Sequence, residues 1–266
     1  MDLKNARVVY QMAGMEGASV RRGVEYLRTA AGPLTLDLYY PNGHAAGGQR
    51  LPAVVIVLGY RDAGVTMPPG WCQFREMGMI VSWCRLFAAS GMVGIAYETS
   101  EPTQDAISVL SYLRDHSAEL GIDEGRIGIW AASGNAPVAL SVLMDGKARC
   151  GVLFCGMTLD LDGTTGIDEA SRHYRFANPT AGRRVEDLPK DSALFLARGG
   201  QDEFAAINQA LDRFVAEALR CNLPVTLINH PTGPHGFDYA DDSETSRQIV
   251  RAALEFLQAK LAQHAQ

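Results

Sequence analysis

The sequence predicts an α/β protein whose mainly parallel sheet of about eight strands is flanked by helices. From Ala53 onward, short continuous apolar runs alternate with amphipathic stretches. Strands made of such runs are buried on both faces, which is typical of a parallel sheet covered by helices on each side. Before them, residues 24–28 and 34–40 alternate apolar and polar side chains around Gly32 and Pro33. That alternation predicts an antiparallel hairpin with one exposed face.

The remaining elements follow in chain order from the same patterns. The apolar runs predict strands over residues 54–58, 92–97, 127–130, 151–155, 193–197 and 225–229. Apolar stripes with helical spacing predict helices over residues 106–120, 207–218 and 249–261. The last helix is expected to begin near Ser243, because serine is a good N-cap residue. At 266 residues, the chain fits a single domain over 1–266.

Two longer segments interrupt this alternation. Residues 59–74 form a loop after the first parallel strand, and residues 156–191 separate the sixth strand from the seventh. Long loops in compact domains are usually functional or mobile. Because both segments leave the sheet at the carboxyl ends of strands, we expect them to wall a substrate pocket. Residues 156–191 are the candidate for a small cap inserted after strand 6.

The composition argues against several classes of function. The chain has 24 Lys and Arg against 30 Asp and Glu, a net charge of −6 with no basic cluster. This balance disfavours nucleic acid and anionic membranes as partners. No GxGxxG or P-loop motif is present, so no cofactor is expected. The five cysteines form no CxxC pair and stand beside no ligand-spaced histidines, which suggests neither a disulfide framework nor a metal site. Reduced thiols favour a cytoplasmic location.

Three side chains of complementary chemistry follow three predicted strands, in the order Ser133, Asp202 and His235. A serine hydroxyl becomes a good nucleophile when a positioned imidazole takes its proton, and a carboxylate fixes the tautomer of that imidazole. Side chains that follow parallel strands gather at one edge of the sheet. The order and placement are those of nucleophile, acid and base in an α/β-hydrolase fold.

The residues around Ser133 fit the sharp strand-to-helix turn called a nucleophile elbow. That turn needs small residues two positions before and two positions after the serine, because the helix passes close to the strand. Ala131 meets the first requirement, whereas Asn135 stands where glycine is usual. Asparagine tolerates unusual backbone angles better than most residues. The alternative is a serine that only caps the following helix.

The tetrahedral oxyanion formed by a serine nucleophile needs two positioned N–H donors. One is expected from Gly134, the residue after the serine, and the other from the loop after the first parallel strand. That loop begins with Gly59 and Tyr60, so the backbone N–H of Tyr60 is the candidate for the second donor.

For both the acid and the base of the predicted triad, a nearby residue is an alternative candidate. Asp202 ends a Gly-x-x-Asp motif, but Glu203 beside it could take the same role. Either carboxylate could also be an ordinary acidic residue in the first turn of the next helix. His235 lies in a Gly-Pro-His-Gly-Phe loop and is preferred over His230, which lies at the predicted end of the strand.

Candidate substrate-pocket residues are Arg61, Trp71 and Asn135. Arg61 could meet a polar substrate group or could belong to a solvated loop. Trp71, with Phe74 and Trp83, could line an acyl pocket, although aromatic residues at such spacing are more often part of the core.

These motifs give the chain from residue 24 to residue 261 a resemblance to the dienelactone hydrolase-like group of α/β-hydrolases. The resemblance is carried by Gly59-Tyr60, the Ser133 elbow, the motif ending at Asp202, and Pro-His-Gly-Phe around His235. It implies the eight-stranded sheet and the triad. Dienelactone hydrolases themselves use a cysteine nucleophile, so the serine here favours a general carboxylic ester hydrolase.

The expected activity is hydrolysis of a small to medium carboxylic ester, a lactone or a thioester, through an acyl-enzyme and without a metal. Two alternatives stay open. The same triad could transfer the acyl group to an acceptor other than water or cleave a peptide, or the chain could be a ligand-binding protein that has kept the fold without catalysis. The expected partner is a small-molecule ester, and a homodimer could form through an edge strand or the C-terminal helix.

Overall fold

The sheet of this protein is mainly parallel, as predicted. The computed structural model describes residues 4–44, 49–67 and 71–262. Within these ranges the strands are β1 (Ser19–Thr29), β2 (Gly32–Tyr40), β3 (Leu51–Ile56), β4 (Val93–Tyr97), β5 (Ile122–Ala132), β6 (Cys150–Phe154), β7 (Ala193–Gly199) and β8 (Val225–His230). Their order across the sheet is β1-β2-β4-β3-β5-β6-β7-β8. The hairpin β1–β2 and the pair β2–β4 are antiparallel, and the remaining pairs are parallel.

Helices connect the strands and cover the sheet. The α-helices in the described ranges are α1 (Gly78–Ala89), α2 (Pro102–Asp115), α3 (Ser117–Leu120), α4 (Ala136–Met144), α5 (Ile167–Tyr174), α6 (Ala205–Arg220), α7 (Phe237–Ala240) and α8 (Glu244–Ala262). Short 3₁₀ turns span Met15–Gly17, Phe74–Glu76, Ser133–Asn135, Leu161–Gly163 and Val185–Asp187. The predicted cap at Ser243 is confirmed, since its hydroxyl accepts the N–H of Ser246 at 3.2 Å.

The core lies between the sheet and the helices, and it sets where the strands end. All five residues of β4 and all five of β6 are buried, which explains why these strands read as continuous apolar runs. Gly94 in β4 allows α1 to pack closely, because a Cβ there would lie 2.6 Å from the carbonyl oxygen of Cys84. Trp83 packs on Trp130 and Phe154 with ring centroids 5.0 and 5.2 Å apart.

The element boundaries differ from the prediction at several places. β1 begins at Ser19 and β5 at Ile122, each five residues earlier than predicted. Their first residues carry polar or mixed patterns, and pairing such as Leu51 with Ile122 extends the strands beyond the apolar runs. The predicted helix 106–120 is two helices, because His116 leaves the helical conformation at φ −105°, ψ 14°. Periodicity did not reveal the break, since Leu113 and Leu120 are both buried.

The loop after β3 lies partly outside the described residues. Pro68 and Pro69, which the sequence places in this loop, fall in the gap at residues 68–70. Across the described residues, every helix is too short or too polar to cross a lipid bilayer.

Candidate active site

Ser133 stands on a strained turn between β5 and α4. Its φ of +56° is in the left-handed region, which is uncommon for a residue other than glycine and costs of the order of 1–3 kcal/mol. Ala131 before it is fully buried, and a Cβ at Gly134 after it would lie 2.4 Å from the hydroxyl oxygen of Tyr60. Ala131 and Gly134 therefore leave room for the turn, while Asn135 occupies the position where a nucleophile elbow usually has glycine.

His235 and Asp202 form a hydrogen-bonded pair. Nδ1 of His235 lies 2.8 Å from Oδ2 of Asp202, and the side chain of Asp202 is fully buried. The other carboxylate oxygen of Asp202 accepts the N–H of Phe204 at 3.0 Å. The Phe204 ring also contacts the imidazole edge to face, at a centroid distance of 4.8 Å. A carboxylate on Nδ1 keeps the proton there and leaves Nε2 able to accept another.

The contacts in the structure distinguish Asp202 from Glu203 and His235 from His230. Glu203 reaches the backbone, where its Oε2 accepts the N–H of His235 at 3.2 Å, while Asp202 contacts the ring. His230 is 2% exposed at the end of β8. Its Nε2 lies 2.9 Å from Oδ2 of Asp241. Glu203 thus supports the backbone of His235, whereas the His230 ring pairs with Asp241, and both residues lie outside the lining of the cavity described next.

Ser133 and His235 line one cavity of about 640 Å³. The predicted pocket residues Arg61, Trp71 and Asn135 line the same cavity, as does Tyr60, the predicted oxyanion-hole residue. The Ser133 hydroxyl has no hydrogen-bond partner among the described residues. Catalytic hydrogen bonds are often long in a free enzyme and shorten when substrate binds. The structure therefore brings the nucleophile and the base to one cavity while the hydrogen bond between them is not formed.

Asn135 fixes the loop after β3 against the elbow. Its Oδ1 accepts the N–H of Gly59 at 2.7 Å. A Cβ at Gly59 would lie 2.5 Å from the carbonyl oxygen of Gly134, so only glycine permits this approach. The sequence identified Asn135 as a departure from the usual glycine and as a pocket residue, but it did not reveal this bond. The departure is compensated because the amide oxygen ties together the two segments that carry Tyr60 and Gly134.

The segment 156–191 supplies one wall of the cavity. Tyr174 and Arg175, at the end of α5, line it. Phe176 packs against the Tyr60 ring with centroids 5.9 Å apart, and the N–H of Ala177 donates to the carbonyl oxygen of Gly59 at 2.8 Å. The segment therefore contacts the loop after β3 directly, whereas its mobility as a lid stays a prediction.

Cys155 and Asp238 are among the lining residues that sequence reasoning missed. Asp238 is 1% exposed and lines the cavity. Its Oδ2 accepts the indole N–H of Trp83 at 2.9 Å, and burial raises the pKa of this carboxyl to about 6. A carboxylate directly after the Gly-Phe that follows His235 was the available signal. Trp83 itself is fully buried in the core, while Phe74 lines the cavity.

Comparison with known proteins places the fold. No family model matches the chain, and no curated protein matches it in sequence. Among solved structures, the propionate-bound esterase Est2 of the planctomycete Thermogutta terrifontis is 21% identical with a TM-score of 0.68, covering 94% of this chain and 98% of that one. MGS-M1, an α/β-hydrolase enzyme from a Medee basin deep-sea metagenome library, is 18% identical with a TM-score of 0.66, covering 93% and 99%. The same Thermogutta esterase phosphorylated by paraoxon is 20% identical with a TM-score of 0.63, covering 94% and 97%.

These likenesses, together with the strand order and the helices on the sheet, define the α/β-hydrolase fold. The mainly parallel eight-stranded architecture predicted for the chain is confirmed.

Asn135→Ala is expected to lower the free energy of unfolding by about 1–3 kcal/mol, because it leaves the buried N–H of Gly59 without an acceptor. The matched control is Asn229→Ala, which removes an exposed amide that accepts from Arg198 and is expected to cost less than about 0.5 kcal/mol. Urea unfolding of both variants provides the measurement. Equal stability of the two variants would contradict the structural role assigned to Asn135.

Asp238 is expected to make stability fall as pH rises from 4 to 7. Its carboxyl keeps a proton in the folded state up to a pKa of about 6, while the unfolded chain releases it near the usual 3.8. Between those values the unfolded state binds fewer protons, so stability falls with pH by up to about 3 kcal/mol in total. Unfolding free energies of the wild type and Asp238→Asn at pH 4, 5, 6 and 7 measure this pH-dependent contribution of Asp238 to stability. The difference in unfolding free energy between the wild type and Asp238→Asn should shrink or change sign as the pH rises. A constant difference would contradict the raised pKa of Asp238.

Proposed function

We propose that this protein is a serine esterase that hydrolyses small to medium carboxylic esters through a Ser133–His235–Asp202 triad and an acyl-enzyme. One observation carries the proposal. A serine in the left-handed conformation faces the same cavity as an imidazole whose Nδ1 is bonded to a buried carboxylate at 2.8 Å. A serine that merely capped α4 would need neither the strained backbone nor the pair opposite it.

The chemistry follows from this arrangement. Nε2 of His235 accepts the proton of the Ser133 hydroxyl as Oγ attacks the ester carbonyl. The imidazolium, stabilised by Asp202, then gives that proton to the leaving alcohol. Water repeats the same steps on the acyl-enzyme, which releases the acid and restores the serine.

The oxyanion is assigned to the backbone N–H groups of Gly134 and Tyr60. Gly134 follows the nucleophile, and Tyr60 follows Gly59, which Asn135 holds against the elbow. Rigid donors of this kind are already oriented before the charge develops, and losing one typically reduces turnover by about 10²–10³. The close approach of Gly59 to Gly134 supports this assignment because it brings the loop that carries Tyr60 beside the residue that follows the serine.

The cavity supports an ester with an apolar acyl group of modest size. Apolar and aromatic side chains dominate its lining, among them Met67, Phe74, Met77, Met79, Ile80 and Phe154. A volume of about 640 Å³ suits a small ligand rather than a long polymer. Exposed Arg61 and Arg175 add positive charge to the lining. The Thermogutta esterase has been solved with propionate and with butyrate bound, which favours short acyl chains here.

We also propose that the protein is related to the dienelactone hydrolase-like esterases. The Gly59-Tyr60 pair and the motifs at Asp202 and His235 support this relationship. The thiols of Cys84, Cys150, Cys155 and Cys221 are free, which supports a reducing, cytoplasmic location. Homodimerisation stays a prediction.

Asp202→Asn and Glu203→Gln form a matched pair that tests the triad. Asp202→Asn is expected to lower kcat for a short-chain aryl ester by about 10⁴, because the amide favours the wrong imidazole tautomer. Glu203→Gln keeps an oxygen that can accept the backbone N–H of His235 and is expected to stay within about tenfold of the wild type. Ser133→Ala should abolish nearly all turnover with the fold intact. Similar losses in both acidic variants, or a fully active Ser133→Ala, would contradict the proposal.

A further inference from the structure

Cys155 lies beside Asp202 and His235 and has no part in the proposed reaction. It follows β6 with φ +44°, is 2% exposed, and lines the same cavity as Ser133 and His235. Eighty residues separate it from His235 in sequence, so no ligand spacing could reveal their proximity. The carboxyl ends of β6, β7 and β8 bring Cys155, Asp202 and His235 together.

The three side chains have the geometry of a metal tripod. One ligand atom from each, the thiol sulfur, a carboxylate oxygen and a ring nitrogen, lies within 4.8 Å of the other two. A tetrahedral ion binds such ligands at about 2.0–2.3 Å, which places the ligand atoms about 3.3–3.8 Å from one another. Small side-chain rotations would therefore bring all three into coordination. A fourth position would face the cavity.

The Cys155 sulfur needs a cation beside it to exist as a thiolate. Burial raises the pKa of the thiol, and the nearby Asp202 and Asp238 carboxylates raise it further, although the backbone N–H groups of Gly236 and Gly199 donate to the sulfur and partly oppose this rise. A thiolate and the Asp202 carboxylate carry two negative charges, which a divalent cation neutralises. Charge neutrality matters here because an uncompensated charge is costly in a buried position.

We propose that Cys155, Asp202 and His235 form an inhibitory site for a thiophilic divalent cation such as Zn²⁺ or Cd²⁺. On binding, the thiol releases its proton to solvent and a metal–sulfur bond forms. The cation also takes a ring nitrogen of His235. Coordination at Nε2 occupies the lone pair that would accept the Ser133 proton, and coordination at Nδ1 moves the ring proton to Nε2. Either way the base is disabled, so the ion acts as an inhibitor and not as a cofactor.

A second cluster of ligand-type side chains has a different character. Glu186, Glu217 and Cys221 also bring ligand atoms within 4.8 Å of one another, but Arg220 already pairs with both carboxylates at the surface. A cation there would have to displace the guanidinium. None of these three residues lines the cavity, and Cys221 provides the matched control.

Titration of the purified protein with CdCl₂ tests the inhibitory site. Ultraviolet absorption from sulfur-to-cadmium charge transfer reports binding, and ester hydrolysis in the same samples reports inhibition. We expect binding of one Cd²⁺ at the cavity to abolish turnover, with recovery on addition of EDTA. Cys155→Ser should raise the Cd²⁺ concentration for half-inhibition by more than about 100-fold, because loss even of an outer-shell partner weakens metal sites 10–100-fold. Each rate is normalised to the cadmium-free rate of the same variant.

Cys221→Ser should keep the wild-type inhibition. Half-inhibition of Cys155→Ser at the wild-type Cd²⁺ concentration, or loss of inhibition in Cys221→Ser, would overturn the inference. In the wild type, affinity should rise about tenfold per pH unit below the thiol pKa, since one proton leaves per ion bound. This test does not depend on Cys155→Ser folding, and a pH-independent affinity would count against the site.

The binding part of this inference is independent of the proposed esterase activity. Ser133→Ala should bind Cd²⁺ with the same absorption as the wild type, whether or not the protein hydrolyses esters. If esters are not hydrolysed but the absorption is lost in Cys155→Ser, the metal site stands and the proposed function fails. If hydrolysis proceeds unaffected by Cd²⁺, the proposed function stands and the metal site fails.

Discussion

The left-handed backbone at Ser133 is the constraint on which the candidate site depends. A non-glycine residue persists at φ +56° only where the surroundings hold it there. Here β5 ends immediately before it and α4 begins three residues after it. The carbonyl oxygen of Ser133 also accepts the N–H of Met157 at 3.0 Å, which ties the turn to the segment after β6. In this conformation Ser133 lines the cavity.

The backbone of the loop after β3 packs closely against the turn that holds Ser133, and this contact fixes other parts of the site. Gly59 approaches Gly134 so closely that a Cβ would not fit, and the Asn135 amide fixes the same contact through a hydrogen bond. Tyr60 then lies over Gly134, and Phe176 from the cap segment packs on Tyr60. The loop after β3, the turn at Ser133 and the segment 156–191 are therefore one connected unit, so a substitution at Asn135 is expected to act on all three.

The sequence predicted the parts of the site that follow from local pattern. Ser133, Asp202 and His235 could be placed because each lies in the segment that follows an apolar strand, and parallel strands end at one edge of the sheet. The Asn135–Gly59 bond could not be predicted, because it joins residues 76 apart through side-chain geometry. The same holds for Cys155 beside His235 and for Asp238 beneath Trp83. Boundaries such as the start of β5 or the break at His116 depend on pairing and backbone angles that periodicity does not encode.

The most direct test of the central claim is intact-mass analysis after incubation with a fluorophosphonate, which labels a serine activated by an adjacent base. We predict a single adduct that maps to Ser133 and that fails to form in His235→Ala. Circular dichroism of both samples verifies that they are folded. An adduct on another residue, equal labelling of His235→Ala, or no adduct on folded wild-type protein would contradict the account.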